Sequence, residues 1–132
     1  MLDTNTLIYI VKKRPLQVLT RLNSLNDDDE LCMSFVSYAE LQKGVEQSGK
    51  PQAAAKANAM LINEVPVVFN TNEETCCRYA TEFLRLKRLG TPIGGNDLWI
   101  ACHALSISAV LVTNNTREFT RIQGLALDNW VV

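Results

Sequence analysis

The uninterrupted apolar run Ala109–Val112, closed by Thr113-Asn114-Asn115, constrains the fold more than any other stretch of the chain. An apolar run without polar alternation reads as a strand buried on both faces. Such strands belong to parallel sheets with helices on either side. The run is the end of a longer stretch, TPIGGNDLWIACHALSISAVLVTNN, spanning Thr91–Asn115. Asn96 is expected to cap a helix there whose first turn carries Asp97, and Leu98–Leu105 is apolar on most sides. A carboxylate heading so apolar a helix needs a reason. Asp97 is expected to join other acids at one end of the sheet and hold a divalent metal.

The rest of the chain alternates strand and helix signals. Met1-Leu2 reads as the end of a very short strand, followed by a helix through Val11 that Lys12-Lys13-Arg14-Pro15 breaks. Leu16, Leu19, Leu22 and Leu25 recur at helical spacing. The acidic run Asp27–Glu30 reads as a solvated loop. Leu31–Ser37 is expected to be a strand running into a helix that starts at Ser37 and reaches Gln47. Gln52–Asn63 is alanine-rich and helical, and Val65–Phe69 is a further strand that tolerates Pro66 at its beginning. Thr71-Asn72-Glu73-Glu74 reads as a capping box for a helix reaching Leu89, which Gly90 closes. Thr116–Arg121 reads as a short helix and Leu125–Val131 as an edge strand. The expected architecture is one α/β domain over residues 1–132 with a central, mainly parallel sheet. Ligands bind such sheets at the carboxyl ends of the strands, where strand order reverses.

Composition narrows the function. The chain has 132 residues, a formal net charge of -1 and 47% hydrophobic residues, so no global basic field draws it to nucleic acid. Local basic patches must do that work. No run approaches the ~18 apolar residues of a membrane span, and no basic region precedes an apolar stretch at the N-terminus; a cytoplasmic protein is expected. The four cysteines, Cys32, Cys76, Cys77 and Cys102, form no Cys-x-x-Cys pair and read as buried free thiols. A single histidine, His103, excludes a His-pair ribonuclease mechanism and disfavours zinc. Its apolar helix gives it a core or interface role, and Trp99 and Trp130 read the same way.

The acids fall at related places. Asp3 follows the first strand, Glu40 lies in the first turn of the helix after the second, Asp97 opens the helix before Ala109–Val112, and Asn115 with Glu118 follows that run. In a parallel sheet all can face one edge, where like charges repel unless a cation sits among them. Mg²⁺ prefers carboxylate and water oxygens. Each acid also has a purely structural account. Glu40 stands three after Ser37 and Glu118 three after Asn115, the capping-box spacing. Asp3 could cap the first helix, and Asp97 could serve the helix dipole. Spacing alone leaves the two accounts balanced.

Four segments in order, MLDTNTLIY, SFVSYAEL, TPIGGNDLWIACHAL and LVTNNTREFTRI, with the tryptophan-containing tail Leu127–Val132, resemble the PIN-domain ribonucleases of the VapC toxin type. The resemblance spans the whole chain. It implies an α/β/α three-layer sandwich, Mg²⁺-dependent endoribonuclease activity with Mn²⁺ able to substitute, a homodimer, and a small antitoxin protein that blocks the site. The RNA it implies is structured, with transfer RNA as the guess. Matched residue by residue, Asp3, Glu40 and Asp97 fall on the family's metal-site acids, which would hold Mg²⁺ and activate the attacking water. Many members carry an aspartate where this chain has Asn115, and Glu118 would supply the missing carboxylate. Thr4, Asn5 and Thr113 would be polar groups orienting the acids. Lys12, Lys13, Arg88 and Arg117 are candidate contacts to the RNA backbone.

Three rival readings remain. A haloacid-dehalogenase-like phosphohydrolase would need a second aspartate two residues after Asp3, where Asn5 stands. A catalytically weak PIN-like module that binds nucleic acid or protein would have little reason to keep Asp3, Glu40 and Asp97, although Asn115 suits it. DNA could replace RNA as the nucleic acid.

Overall fold

A computed structural model describes all residues 1–132. Its centre is held together by the first three residues. Leu2 donates its backbone N–H to Cys32 O at 2.9 Å on one side, and forms a parallel bridge with Val112 on the other. The Met1 ammonium donates to Val110 O at 2.8 Å. Beyond Cys32, β1 (Met33–Ser34) pairs in parallel with β2 (Val67–Val68). Beyond Val112, β3 (Leu111–Val112) pairs in parallel with β4 (Leu127–Asp128). The spatial order is therefore β2, β1, the Met1–Asp3 segment, β3, β4. Strand order reverses beside the N-terminal segment, which puts the crevice at its carboxyl end, at Asp3.

The helices are α1 (Thr4–Lys12), α2 (Leu16–Asn23), α3 (Phe35–Glu46), α4 (Pro51–Glu64), α5 (Glu73–Arg88), α6 (Gly95–Ser106) and α7 (Thr116–Phe119). Strand side chains alternate between faces, and the core divides accordingly. Met1 and Leu111 pack with Leu86 of α5, Ile100 and Ala104 of α6 and Phe119 of α7. Leu2 and Val112 pack with Leu7 of α1, Val18 of α2, Leu41 of α3 and Leu61 of α4. This is the three-layer α/β/α sandwich that the family resemblance implies, with the helix-covered parallel sheet expected from the apolar run at its centre.

Several boundaries differ from the sequence reading. The strand expected over Leu31–Ser37 is only Met33–Ser34, because Ser34 caps a helix that begins at Phe35. Its hydroxyl accepts from Val36 N at 3.2 Å. Ser37 is thus the third helical residue rather than the cap. Asn96 does not cap α6 either; Gly94 holds that position and Asn96 lies within the first turn. Asn72, not Thr71, caps α5, accepting from both Thr75 N and Thr75 Oγ1. The end of α5 is as expected. Gly90 adopts φ +72°, and the bonds Gly90 N to Lys87 O and Thr91 N to Leu86 O close the helix. Cys102 is buried, but Cys76 and Cys77 are exposed on α5 rather than buried; all four cysteines are free thiols. His103 and Trp130 are core residues, at 1% and 3% exposure, and no helix is long and apolar enough to cross a membrane.

Candidate active site at the carboxyl edge of the sheet

Asp3 ends the central segment and caps α1, its Oδ1 accepting from Thr6 N at 2.8 Å. Its other oxygen is also held, because Thr113 at the end of β3 donates Oγ1–H to Asp3 Oδ2 at 2.6 Å. Asp3 is buried at 5% exposure, and these bonds compensate a carboxylate in that setting. Thr6, which the sequence reading passed over, donates its hydroxyl to Val112 O and ties α1 to the same strand. Thr4 donates Oγ1–H to Glu40 Oε1 at 2.6 Å, linking α1 to α3. Two of the three expected orienting groups, Thr4 and Thr113, therefore touch the acids. Asn5 is exposed and caps nothing.

Glu40 is the sixth residue of α3, in its second turn rather than its first. With Ser34 as the cap, the capping account of Glu40 fails. One turn before it, Ser37 Oγ is buried and has no hydrogen-bond partner. Asn115 precedes α7 without a side-chain cap bond. Its amide instead donates Nδ2–H to Glu118 Oε2 at 3.0 Å, and its backbone N–H donates to Thr113 Oγ1 at 2.9 Å. Glu118 is therefore oriented by Asn115 and is not the return arm of a capping box. Thr113 accepts from Asn115 while donating to Asp3, so one hydroxyl connects both halves of the acid group.

Asp97 is the third residue of α6 and half-buried. Burial first, then the charges of Glu40, Asp3 and Glu118, push its pKa up to about 6. Three carboxylates on three different elements thus act on a fourth. None of the four has a basic partner: the ion pairs of the molecule are Arg21–Asp128, Arg78–Glu74 and Arg85–Glu82. The acids share a field without closing into a cage: no three or more His, Cys, Asp or Glu side chains are arranged as a ready-made metal site. An open set of carboxylates suits a hard divalent cation that binds through a few carboxylates and retains waters in its shell. It does not fit zinc, because neither His103 nor a cysteine belongs to the group.

His103 lies elsewhere. Its Nδ1 is 2.8 Å from Ser34 Oγ and its Nε2 is 3.1 Å from Asn70 O, and burial lowers its pKa. Arg117, adjacent to Glu118, and Arg88, at the end of α5, are exposed and unpaired. Lys12 and Lys13 are exposed too, but at the far end of α1 from Asp3, roughly 14 Å along the helix axis.

Comparison with known proteins shows the family of the chain. A family model described as "PIN domain" matches residues 1–125. The chain is 46% identical over 130 residues to "Ribonuclease VapC1" of Haemophilus influenzae strain R2866, covering 98% of this chain and 96% of that protein. It is 38% identical over 132 residues to the "tRNA(fMet)-specific endonuclease VapC" of Salmonella typhimurium, with 98% and 96% covered. Among solved structures, VapBC-1 from nontypeable Haemophilus influenzae superposes with a TM-score of 0.91 at 45% identity, covering 100% of this chain and 98% of that one.

Proposed function

The chain belongs to the PIN-domain family, with VapC-type ribonuclease toxins as its relatives, and on that premise we propose that it is a divalent-cation-dependent endoribonuclease, the toxin of a toxin–antitoxin pair. The observation that carries the proposal is that Asp3, Glu40, Asp97 and Glu118, none with an ion-pair partner, meet at one edge of the sheet with Thr4, Thr113 and Asn115 holding their oxygens. Asp3, Glu40 and Asp97 would hold Mg²⁺, with Mn²⁺ as a substitute. When bound, the ion would supply Lewis-acid stabilisation of the phosphodiester and lower the pKa of a water. The chain's own groups do the rest. Thr113, Thr6 and Thr4 fix the oxygens of Asp3 and Glu40. Asn115 holds Glu118 Oε2 and leaves Oε1 free to accept the proton of the attacking water. Attack at phosphorus breaks the bond to the 3′-oxygen, so the products carry 5′-phosphate and 3′-hydroxyl ends.

The substrate we propose is a structured RNA, and the Salmonella relative makes transfer RNA the first to try. Arg88 and Arg117 would neutralise phosphates near the cut. Lys12 and Lys13 would serve an RNA long enough to run the length of α1. The partner we propose is a small antitoxin, by analogy with the VapBC-1 complex. A second copy of the chain is the other partner, and Phe83 and Leu84 on α5 with Leu89 after it, 49%, 43% and 63% exposed, offer it an apolar face.

The test is incubation of the purified protein with total cellular RNA and Mg²⁺ or Mn²⁺, followed by mapping of the ends. Discrete cuts with 3′-hydroxyl ends, lost in EDTA and in Asp97→Asn, are expected. Intact RNA from folded, antitoxin-free protein would replace the nuclease with a binding module. A 2′,3′-cyclic phosphate would overturn the hydrolytic step.

A further inference from the structure

A second feature begins beside the acids, at Asn96, and runs along α6 away from them to His103. The starts of α3 and α5 and the face of α6 from Asn96 to His103 line a half-open cavity of about 360 Å³, within the size range of small-molecule sites. Phe35, Trp99 and His103 give it aromatic walls, while Thr71, Thr75 and Asn96 give it polar groups. No Asp, Glu, Lys or Arg lines it. His103 adds no charge, because burial favours its neutral form, and both its ring nitrogens already have partners. The cavity therefore suits neither a phosphate nor a cation. It suits a flat, uncharged, hydrogen-bonding ring.

Its aromatic walls are packed against neighbouring rings. Trp99 is stacked on Tyr79 with ring centroids 3.9 Å apart and planes 11° from parallel. Phe35 packs on the His103 ring at 5.8 Å and is itself 37% exposed. Asn96 is exposed and not spent on capping α6, whose cap is Gly94. An asparagine amide offers the donor–acceptor pair that matches a base edge. The cavity also adjoins the acids through the chain itself. Asn96 is next to Asp97, and Val36, a lining residue, is one helical turn before Glu40, about 6 Å between such positions.

We propose that this cavity is a nucleobase pocket: a base of the single-stranded RNA neighbouring the scissile phosphate enters between Phe35 and Trp99, and Asn96 reads its edge. Single-stranded RNA is recognised in this way, by aromatic stacking combined with hydrogen bonds to splayed bases. The proposal rests on the ribonuclease reading and deepens it, because it makes Asn96 and Trp99 specificity-determining residues of the same site.

The experiment separates the two. Tryptophan emission of Asp97→Asn protein in EDTA is titrated with the four single-stranded hexanucleotides of adenosine, cytidine, guanosine and uridine. Quenching by one hexanucleotide at a concentration about tenfold lower than by the weakest is expected, the discrimination of one amide–base pairing. Trp99→Phe should remove the response, and Asn96→Ala should make the four nearly equal. In active protein Asn96→Ala should flatten the base preference at one position beside the mapped cuts. Equal quenching by all four, or none, overturns the pocket even if the protein cuts RNA. Selective quenching that Asn96→Ala abolishes, in a protein whose wild type leaves RNA intact, upholds the pocket and overturns the nuclease.

Discussion

Thr113 donates its hydroxyl hydrogen to Asp3 Oδ2 at 2.6 Å across a separation of 110 residues, in full burial. The bond spans the crevice between the N-terminal segment and β3, where strand order reverses, and so converts sheet topology into the position of a carboxylate. Replacing Thr113 by Val keeps the shape and removes the donor. Hydrogen bonds to charged groups contribute about 1.5–3 kcal/mol, and Asn115 N–H would lose its acceptor as well. Urea unfolding should show Thr113→Val destabilised by about 2 kcal/mol, with cleavage reduced further than stability explains. Thr113→Ser should restore both. Unchanged cleavage in Thr113→Val would mean that Asp3 needs no orienting group.

Asp97→Asn should separate stability from activity. The half-buried Asp97 carboxylate is ionised at neutral pH against burial and against Glu40, Asp3 and Glu118. Removing its charge relieves that repulsion. The variant should melt at a higher temperature than wild type in EDTA, should lose the increase that Mg²⁺ gives wild type, and should not cut RNA. Thermal unfolding with and without Mg²⁺ reads all of this except the last. A variant less stable than wild type in EDTA would show that the acids do not repel.

His103 should make stability depend on pH. Its pKa in the fold lies below the ordinary 6.5, burial being the largest cause. The folded state therefore binds fewer protons than the unfolded chain in this range. The stability His103 supports is complete above about 6.5 and is lost as pH falls below it. Urea midpoints at pH 7.5 and 5.5 should differ in wild type, and the difference should shrink in His103→Gln. An equal difference in both proteins would assign the dependence to other groups.

What the sequence disclosed and what it withheld follow from the range of each interaction. The run Ala109–Val112 announced a doubly covered sheet because burial on both faces removes polar alternation, but only half of it behaves so: Leu111 and Val112 form the strand and face the two separate cores, while Val110 is 48% exposed. Asp3 was legible as a cap because capping acts over three residues, and Thr6 N stands at that distance. Ser37 was mistaken for a cap because Ser34 has the same chemistry three residues earlier, and Phe35-Val36 is as apolar in a helix as in a strand. Asn96 was mistaken for another, since Gly94 can begin a helix without a side chain. The mutual field of Asp3, Glu40, Asp97 and Glu118 had no local signature at all. It is produced by elements up to 115 residues apart, counted from Asp3 to Glu118; the alternation of strands and helices allowed the acids one common edge, and the family resemblance tipped the balance against the structural account of each.

Asn115→Asp tests whether the amide at this position limits the site. Asn115 now donates Nδ2–H to Glu118 Oε2 at 3.0 Å, so an aspartate there would set two carboxylates against each other where a hydrogen bond stands. Without metal the substitution adds a fifth acid to an unneutralised group and removes that bond, and the protein should unfold at lower urea than wild type. With Mg²⁺ the extra charge is offset, so the deficit should shrink and the cation should be held more tightly. Calorimetric titration with Mg²⁺, beside urea unfolding in EDTA and in Mg²⁺, reads both effects. If Asn115→Asp is destabilised equally in the two buffers and binds Mg²⁺ no better, position 115 serves only to orient Glu118. In that case Glu118→Gln, which keeps an acceptor for the Asn115 amide but loses the charge, should reduce cleavage more than Asn115→Asp does.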